Sequence, residues 1–194
     1  MNSMTRSTIR LIGPAALVSL TLSQSIFAQG NMDYTNTYID KIDSAAPIHV
    51  HPFGTADADL GNPKFEDTAQ AMAKSAPHLL ATDIVSTLRN SGFTAVTLDE
   101  SKEGPAENAM NLTGHFTKLD PGSQNLRVWV GLGAGESKVC ISGQLTDAAG
   151  KKLADFADCR NGLGWGASGP QGNKGAEVLG ERVAKFLINW AGLN

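Results

Sequence analysis

The sequence predicts an α+β fold: a mostly antiparallel sheet with helices packed on one face, in a single domain. Three observations carry the prediction. Apolar residues recur at helical spacing between residues 65 and 90, and again from about Lys174 to Ala191. Between residues 111 and 159, short β-prone runs alternate with Gly, Asp and Pro. The composition is that of an ordinary globular chain, with 194 residues, 41% hydrophobic, 18% charged and 6% aromatic.

The first 28 residues read as a secretory signal peptide. Arg6 and Arg10 give a positive start, Leu11 to Leu22 is mostly apolar, and small Ala28 closes a short polar stretch. That apolar run has 12 residues and contains Pro14, too short and too broken to span a bilayer, which takes about 20. No cysteine lies near the cut, so no lipid anchor is expected. Removing this segment takes away two arginines and no acid, which leaves 166 residues of charge −5. A chain of that size fits one domain with a real core, and it has no further apolar run long enough for a membrane span. The expected product is soluble and periplasmic or secreted. The acidic balance argues against nucleic acid as a partner, because phosphate binding needs a basic face.

Residues 29 to 46 are polar without a sustained period and read as a flexible leader, so that the domain proper covers 47 to 194. Pro47 to Phe53 reads as a strand with Pro at its margins. From Phe65 the pattern turns helical, with an interruption expected at Pro77. Leu80, Ile84 and Leu88 then form one stripe on a helix ending near Asn90 and Gly92, and Phe93 to Leu98 follows as a β-prone run. The later β-prone runs are Asn111 to Leu119, Leu126 to Leu132, Lys138 to Leu145 and Lys151 to Cys159. Asp147-Ala148-Ala149-Gly150 is a hairpin signal between the last two. The glycine-rich stretch Asn161 to Gly175 reads as a loop, and Leu179, Val183, Phe186, Leu187 and Trp190 mark one face of the last helix.

This order of landmarks resembles a known group. Val50-His51-Pro52-Phe53, a helix ending Leu88-Arg89-Asn90-Ser91-Gly92-Phe93, Leu112-Thr113-Gly114, Gly131 to Ser137 before a strand, Asp147 to Gly150 and a terminal helix are all present. The chain is similar to domain-of-unknown-function family 4410, over most of its length after residue 28. The resemblance implies an exported periplasmic α/β domain, similar in outline to the small domains of envelope-assembly proteins. Many members look like outer-membrane lipoproteins, and this chain departs from them in lacking the acylated cysteine. The shared motifs are landmarks of the fold and bring no active-site residues with them.

Motifs that could carry chemistry fail on context. Gly131, Gly133 and Gly135 are followed by the strand pattern Val139-Cys140-Ile141, whereas a dinucleotide fingerprint needs a helix there. No G-K-[ST] and no G-x-S-x-G occurs, so no cofactor and no catalytic residue is assigned. His49 and His51 alternate along a strand, so both rings emerge on one face, and they are the weak metal candidates. A site would need His78, His115, Asp57 or Asp59 as well.

Cys140 and Cys159 suggest a disulfide in an exported chain. Across a hairpin, the numbers of facing residues add up to a constant, and for this pair it is 299. A two-residue turn at Ala149-Gly150 gives 299, whereas a three-residue loop between Asp147 and Lys151 gives 298 and opposes Cys140 to Asp158. The bridge therefore favours the even loop. The functional expectation is a non-enzymatic binding or assembly-accessory domain of the cell envelope, whose partner is an envelope protein or surface component. The alternative is a periplasmic metal-binding protein or small hydrolase that uses the histidines.

Overall fold

The computed structural model describes residues 32–101, 108–122, 136–161 and 171–193. Its strands are β1 (Tyr34–Thr37), β2 (Ile48–Val50), β3 (Val96–Leu98), β4 (Met110–Asp120), β5 (Lys138–Thr146) and β6 (Lys152–Asn161). Its helices are α1 (Glu66–Asn90), entered through a 3-10 turn at Pro63–Phe65, and α2 (Gln171–Trp190). One sheet holds the six strands in the order β1-β6-β5-β4-β2-β3. The pairs β1–β6, β6–β5 and β5–β4 are antiparallel, while β2 lies parallel to both β4 and β3. The fold is α+β with a mixed, mostly antiparallel sheet. The predicted run Leu126 to Leu132 and the glycines at 131, 133 and 135 lie outside the described residues.

Both helices pack on the same face. Alternation along each strand sends Ile48 and Val50, Leu112 and Phe116, Ile141 and Leu145, and Ala154 and Phe156 into one buried cluster with α1 and α2. An aromatic series crosses that cluster. Phe53 meets Phe116 edge-on with centroids 6.5 Å apart, Phe156 lies 6.4 Å from Phe53 and 6.0 Å from Phe186, and Phe186 stacks on Trp190 at 5.7 Å. The cross-strand pair Gly114 and Gly143 makes room for it, since a Cβ at either position would overlap the ring of Phe53 or Phe156. The glycine of Leu112-Thr113-Gly114 thus serves core packing.

Four features depart from the sequence reading. The helix expected to break at Pro77 runs unbroken from Glu66 to Asn90. Proline costs the helix one hydrogen bond, about 3 kcal/mol, but buried Ala69, Met72, Ala76, Leu80, Ala81, Ile84 and Leu88 form one stripe on both sides of it. Continuous burial of that stripe offsets the loss. The segment read as a leader contains β1, whose four residues YTNT pair with Ala154 to Ala157. An edge strand with polar residues on both faces has no period to detect.

Third, β2 covers only three residues of the strand read from Pro47 to Phe53. The chain nevertheless continues along β4, with His51 N–H donating to Leu112 O (3.0 Å), Gly54 N–H to Gly114 O (2.9 Å) and Asp59 N–H to Thr117 O (3.0 Å). Thr117 is the extra residue of a bulge in β4, and Lys118 clamps the end of this segment through Asp59 at 2.6 Å. Fourth, α2 begins at Gln171, inside the stretch read as a glycine-rich loop.

The hairpin resolves the two registers in an unexpected way. Asp147 N–H donates to Lys151 O (2.9 Å) around the three-residue loop Ala148-Ala149-Gly150, and Gly150 takes the left-handed conformation (φ +79) that closes such loops. Thr146 faces Lys152, in the 298 register. A bulge then inserts Leu153, and from Leu145 opposite Ala154 onward the register is 299. Cys140 therefore faces Cys159, and the two form a disulfide. The expected even loop is corrected: the loop is odd, and the bulge supplies the missing residue. Leu153 O accepts from Tyr38 N–H (2.8 Å), so the bulge also holds the chain leaving β1.

One ionic contact ties α2 to the sheet from the buried side. Asp158 is fully buried on β6 and accepts from Arg182 Nε, from a second Arg182 nitrogen at 3.2 Å, and from Cys159 N–H at 2.9 Å. Among the described residues, no helix is long and apolar enough to cross a membrane.

Candidate functional site

The face of the sheet opposite the helices carries the polar half of each alternating strand. On it lie His49 and His51 of β2 and its continuation, Asn111, Thr113 and His115 of β4, Ser142 and Gln144 of β5, and Asp155 of β6. A cavity of about 380 Å³ opens at the middle of this face. Its floor is Thr113 opposite Gln144 and His115 opposite Ser142, and Lys152 and Asp155 form one wall. None of the four floor side chains has a hydrogen-bond partner among the described residues.

The wall is fixed by a convergent network. Tyr34 and Tyr38 donate their hydroxyls to Asp155 Oδ2 (3.0 Å) and Oδ1 (2.7 Å), and Lys152 Nζ sits 3.1 Å from the same carboxylate. Burial pushes the Asp155 carboxyl up, but Tyr38, Lys152 and Tyr34 together outweigh it and hold its pKa below the ordinary value. The bond to Asp155 raises both tyrosines, because a phenolate beside a carboxylate is disfavoured. Both phenol rings remain about half exposed, at 51% and 52%.

The histidines separate rather than gather. His49 Nδ1–H donates to Asp99 Oδ2 (3.1 Å), and His51 Nε2–H donates to Asn111 Oδ1 (3.2 Å). His78 lies on α1 beside Glu100 (2.9 Å), and His115 alone lies on the cavity floor. His49 and His51 do share a face, but each turns one nitrogen to a different partner. Asp59 is engaged by Lys118 and by Gly61 N–H (2.9 Å). Among the described residues, no group of three or more His, Cys, Asp and Glu side chains is placed to hold a metal ion. Asp99 is held well below the usual carboxylate range by the Ser101 hydroxyl first, then His49 and the Ser101 N–H.

A serine, a histidine and an aspartate do line one cavity, in the wrong order for nucleophilic catalysis. Ser142 on β5 stands between His115 on β4 and Asp155 on β6. The carboxylate cannot orient the imidazole from there, and its oxygens are occupied by Tyr34, Tyr38 and Lys152. Sequence reasoning singled out His49 and His51 and missed Thr113, Ser142, Gln144, Lys152, Asp155 and both tyrosines. A signal for part of this set was present: polar residues at period two flank Gly114 and Gly143 in neighbouring strands.

The family model of DUF4410, a domain of unknown function, matches residues 33–166. The chain belongs to this family. No curated protein matches it. Among solved structures, the PelC dodecamer from Paraburkholderia phytofirmans is 16% identical with a TM-score of 0.49, over 77% of this chain and 94% of that one. A methionine-substituted form of the same dodecamer is 15% identical with a TM-score of 0.48, over the same shares.

Proposed function

We propose that this DUF4410 protein is an exported cell-envelope protein that works by binding, through the open face of its sheet, and not by catalysis. The carrying observation is the contrast within the cavity. Its floor offers four neighbouring side chains with unused hydrogen-bonding capacity, while the acid that could activate a base is committed to two tyrosines and a lysine. Solvent-accessible polar groups on a rigid sheet, without side-chain partners among the described residues, suit recognition of an envelope protein or surface component, since a partner exchanges water for direct bonds. Export is supported by the order of charge, apolar run and small residue before Gln29, and by the Cys140–Cys159 bridge, which persists in an oxidising compartment.

A photo-crosslinking residue placed at Ser142 tests both parts in cells, with a second placed at Lys74 on the exposed side of α1. The expected result is a discrete crosslinked product at position 142 and none at position 74, in chains recovered from the periplasm with Gln29 as first residue. Equal crosslinking at both positions, or intact Met1 in the cytoplasm, overturns the reading.

A further inference from the structure

The two helices come into close contact at Gly180 of α2. A Cβ there would lie 2.8 Å from Leu80 O and 3.1 Å from Asp83 Oδ2, so the missing side chain lets the α2 backbone rest on α1. The Asp83 carboxyl is wedged at this crossing. Its Oδ2 is shut off from solvent and has no hydrogen-bond partner among the described residues. An ionised carboxylate in that position forgoes a bond worth more than that of a neutral acceptor.

The charges around Asp83 make this worse. From α2 it faces Glu177 and Glu181, both acidic. The nearby cation, Lys185, is bound to Glu181 at 2.6 Å on the exposed side. On α1 itself, the residues one turn away are Leu79, Leu80, Ser86 and Thr87, none of them charged, and the Ser86 hydroxyl donates to the Asp83 carbonyl (3.0 Å). Burial first, then Glu181 and Glu177, raise the Asp83 carboxyl above its ordinary value, and nothing pulls it down.

We propose that Asp83 is a proton-operated latch between the two helices. Protonated, it loses its charge and no longer repels Glu177 and Glu181 of α2, so the pair closes. Ionised, three carboxylates repel one another at this crossing and loosen it. Because the folded pKa is raised, the stability this group contributes is fully present below the ordinary carboxylate value and is lost as pH rises through the folded value. The helix layer is thus tighter in an acid medium than in a neutral one.

Thermal unfolding of the purified protein and of Asp83→Asn, each at pH 7.5 and at about pH 3.5, just below the ordinary carboxylate pKa, tests the latch. Asparagine carries no charge at either pH. The variant should melt about 2–4 °C above the unmodified protein at pH 7.5, and the gap should close at the lower pH. Parallel behaviour at the two pH values, or a variant less stable at both, overturns the proposal. Should the variant fail to fold, carboxyl carbon titration of the unmodified protein decides. A midpoint for Asp83 above the ordinary range that falls in Glu181→Gln supports the latch, and a midpoint at or below that range, or one indifferent to Glu181→Gln, sinks it.

Discussion

The two faces of the sheet are built from the same strands, and they divide the work between them. On the helix side, Phe53, Phe116, Phe156, Phe186 and Trp190 pack in series over the notch left by Gly114 and Gly143, and Arg182 reaches down to Asp158. On the open side the margins are polar and tied, with His49 on Asp99 at one end and Tyr34 and Tyr38 on Asp155 at the other. The centre is polar and untied. Period-two alternation lets one sequence stabilise the fold on one face and carry polar groups on the other.

If that division is right, the largest losses come from the helix side. Phe156→Ala removes the ring that bridges Phe53 and Phe186 and should cost about 3–5 kcal/mol in chemical denaturation. Arg182→Leu should cost toward the lower end of about 3–5 kcal/mol, because it takes the nearest cation from the fully buried Asp158 and leaves it Arg160 at 3.5 Å. A loss below about 1 kcal/mol for both would mean that the helix layer is not what holds the sheet.

The disulfide comes next and belongs to the open face. Cys140 and Cys159 are 19 residues apart, and a loop of that length should contribute about 3 kcal/mol by restricting the unfolded chain. Cys140→Ser with Cys159→Ser should lower the melting temperature accordingly. Thiol titration of the native protein denatured without reductant should find no free sulfhydryl. Two free thiols in freshly isolated protein would remove the only covalent tie on this side of the sheet among the described residues.

The sequence reveals the helix face far better than the open one, for a physical reason. Leu179, Val183, Phe186 and Leu187 announce α2 because burial demands a 3.6-residue stripe, and Leu80, Ile84 and Leu88 do the same for α1. The cysteine pair is legible from spacing, yet the Leu153 bulge that sets its register is held by Tyr38 N–H, from the chain just past β1 and far away in sequence. β1 leaves no trace, since Tyr34 to Thr37 buries no apolar stripe. On the open face, Asp155 matters because two tyrosines from the far end of the chain reach it, more than 110 residues away, with separations of 121 and 117. Nothing local in Lys152 to Asp158 signals that convergence. His49 and His51 attract notice as a spacing pattern, but their partners Asp99 and Asn111 arrive from β3 and β4.

Acid should separate the two faces further. The Asp99 carboxyl on the open side is held below its ordinary value by Ser101 and His49, so its contribution is present above the unfolded pKa and lost as pH falls through the folded one. Asp83 on the helix side is shifted the other way. Below about pH 4, near the ordinary carboxylate pKa, the unmodified protein should therefore lose melting temperature faster than Asp99→Asn. Melting curves from pH 5 down to about pH 2.5, the window set by that ordinary pKa, would show it. Curves that stay parallel would mean that the contacts of Asp99 with Ser101 and His49 do not stabilise the fold.

The smallest effect on stability is expected on the cavity floor, where the proposed binding would be most affected. Thr113, Ser142 and Gln144 have no side-chain hydrogen-bond partners among the described residues and fill no core, so Ser142→Ala or Gln144→Ala should move unfolding by less than about 0.5 kcal/mol. Gly143, between them, faces the other way, and Gly143→Ala should be clearly destabilising because the added methyl meets the Phe156 ring. Adjacent residues of one strand would then differ in kind: one unfolds the protein when changed, and its neighbours leave it intact. Crosslinking from the folded Gln144→Ala protein, with the photo-reactive residue at Ser142, then reads the face itself. A crosslink that persists unchanged in Gln144→Ala would show that the partner does not use the cavity floor, and contact would have to be sought at Tyr34 and Tyr38, whose half-exposed rings border the same face.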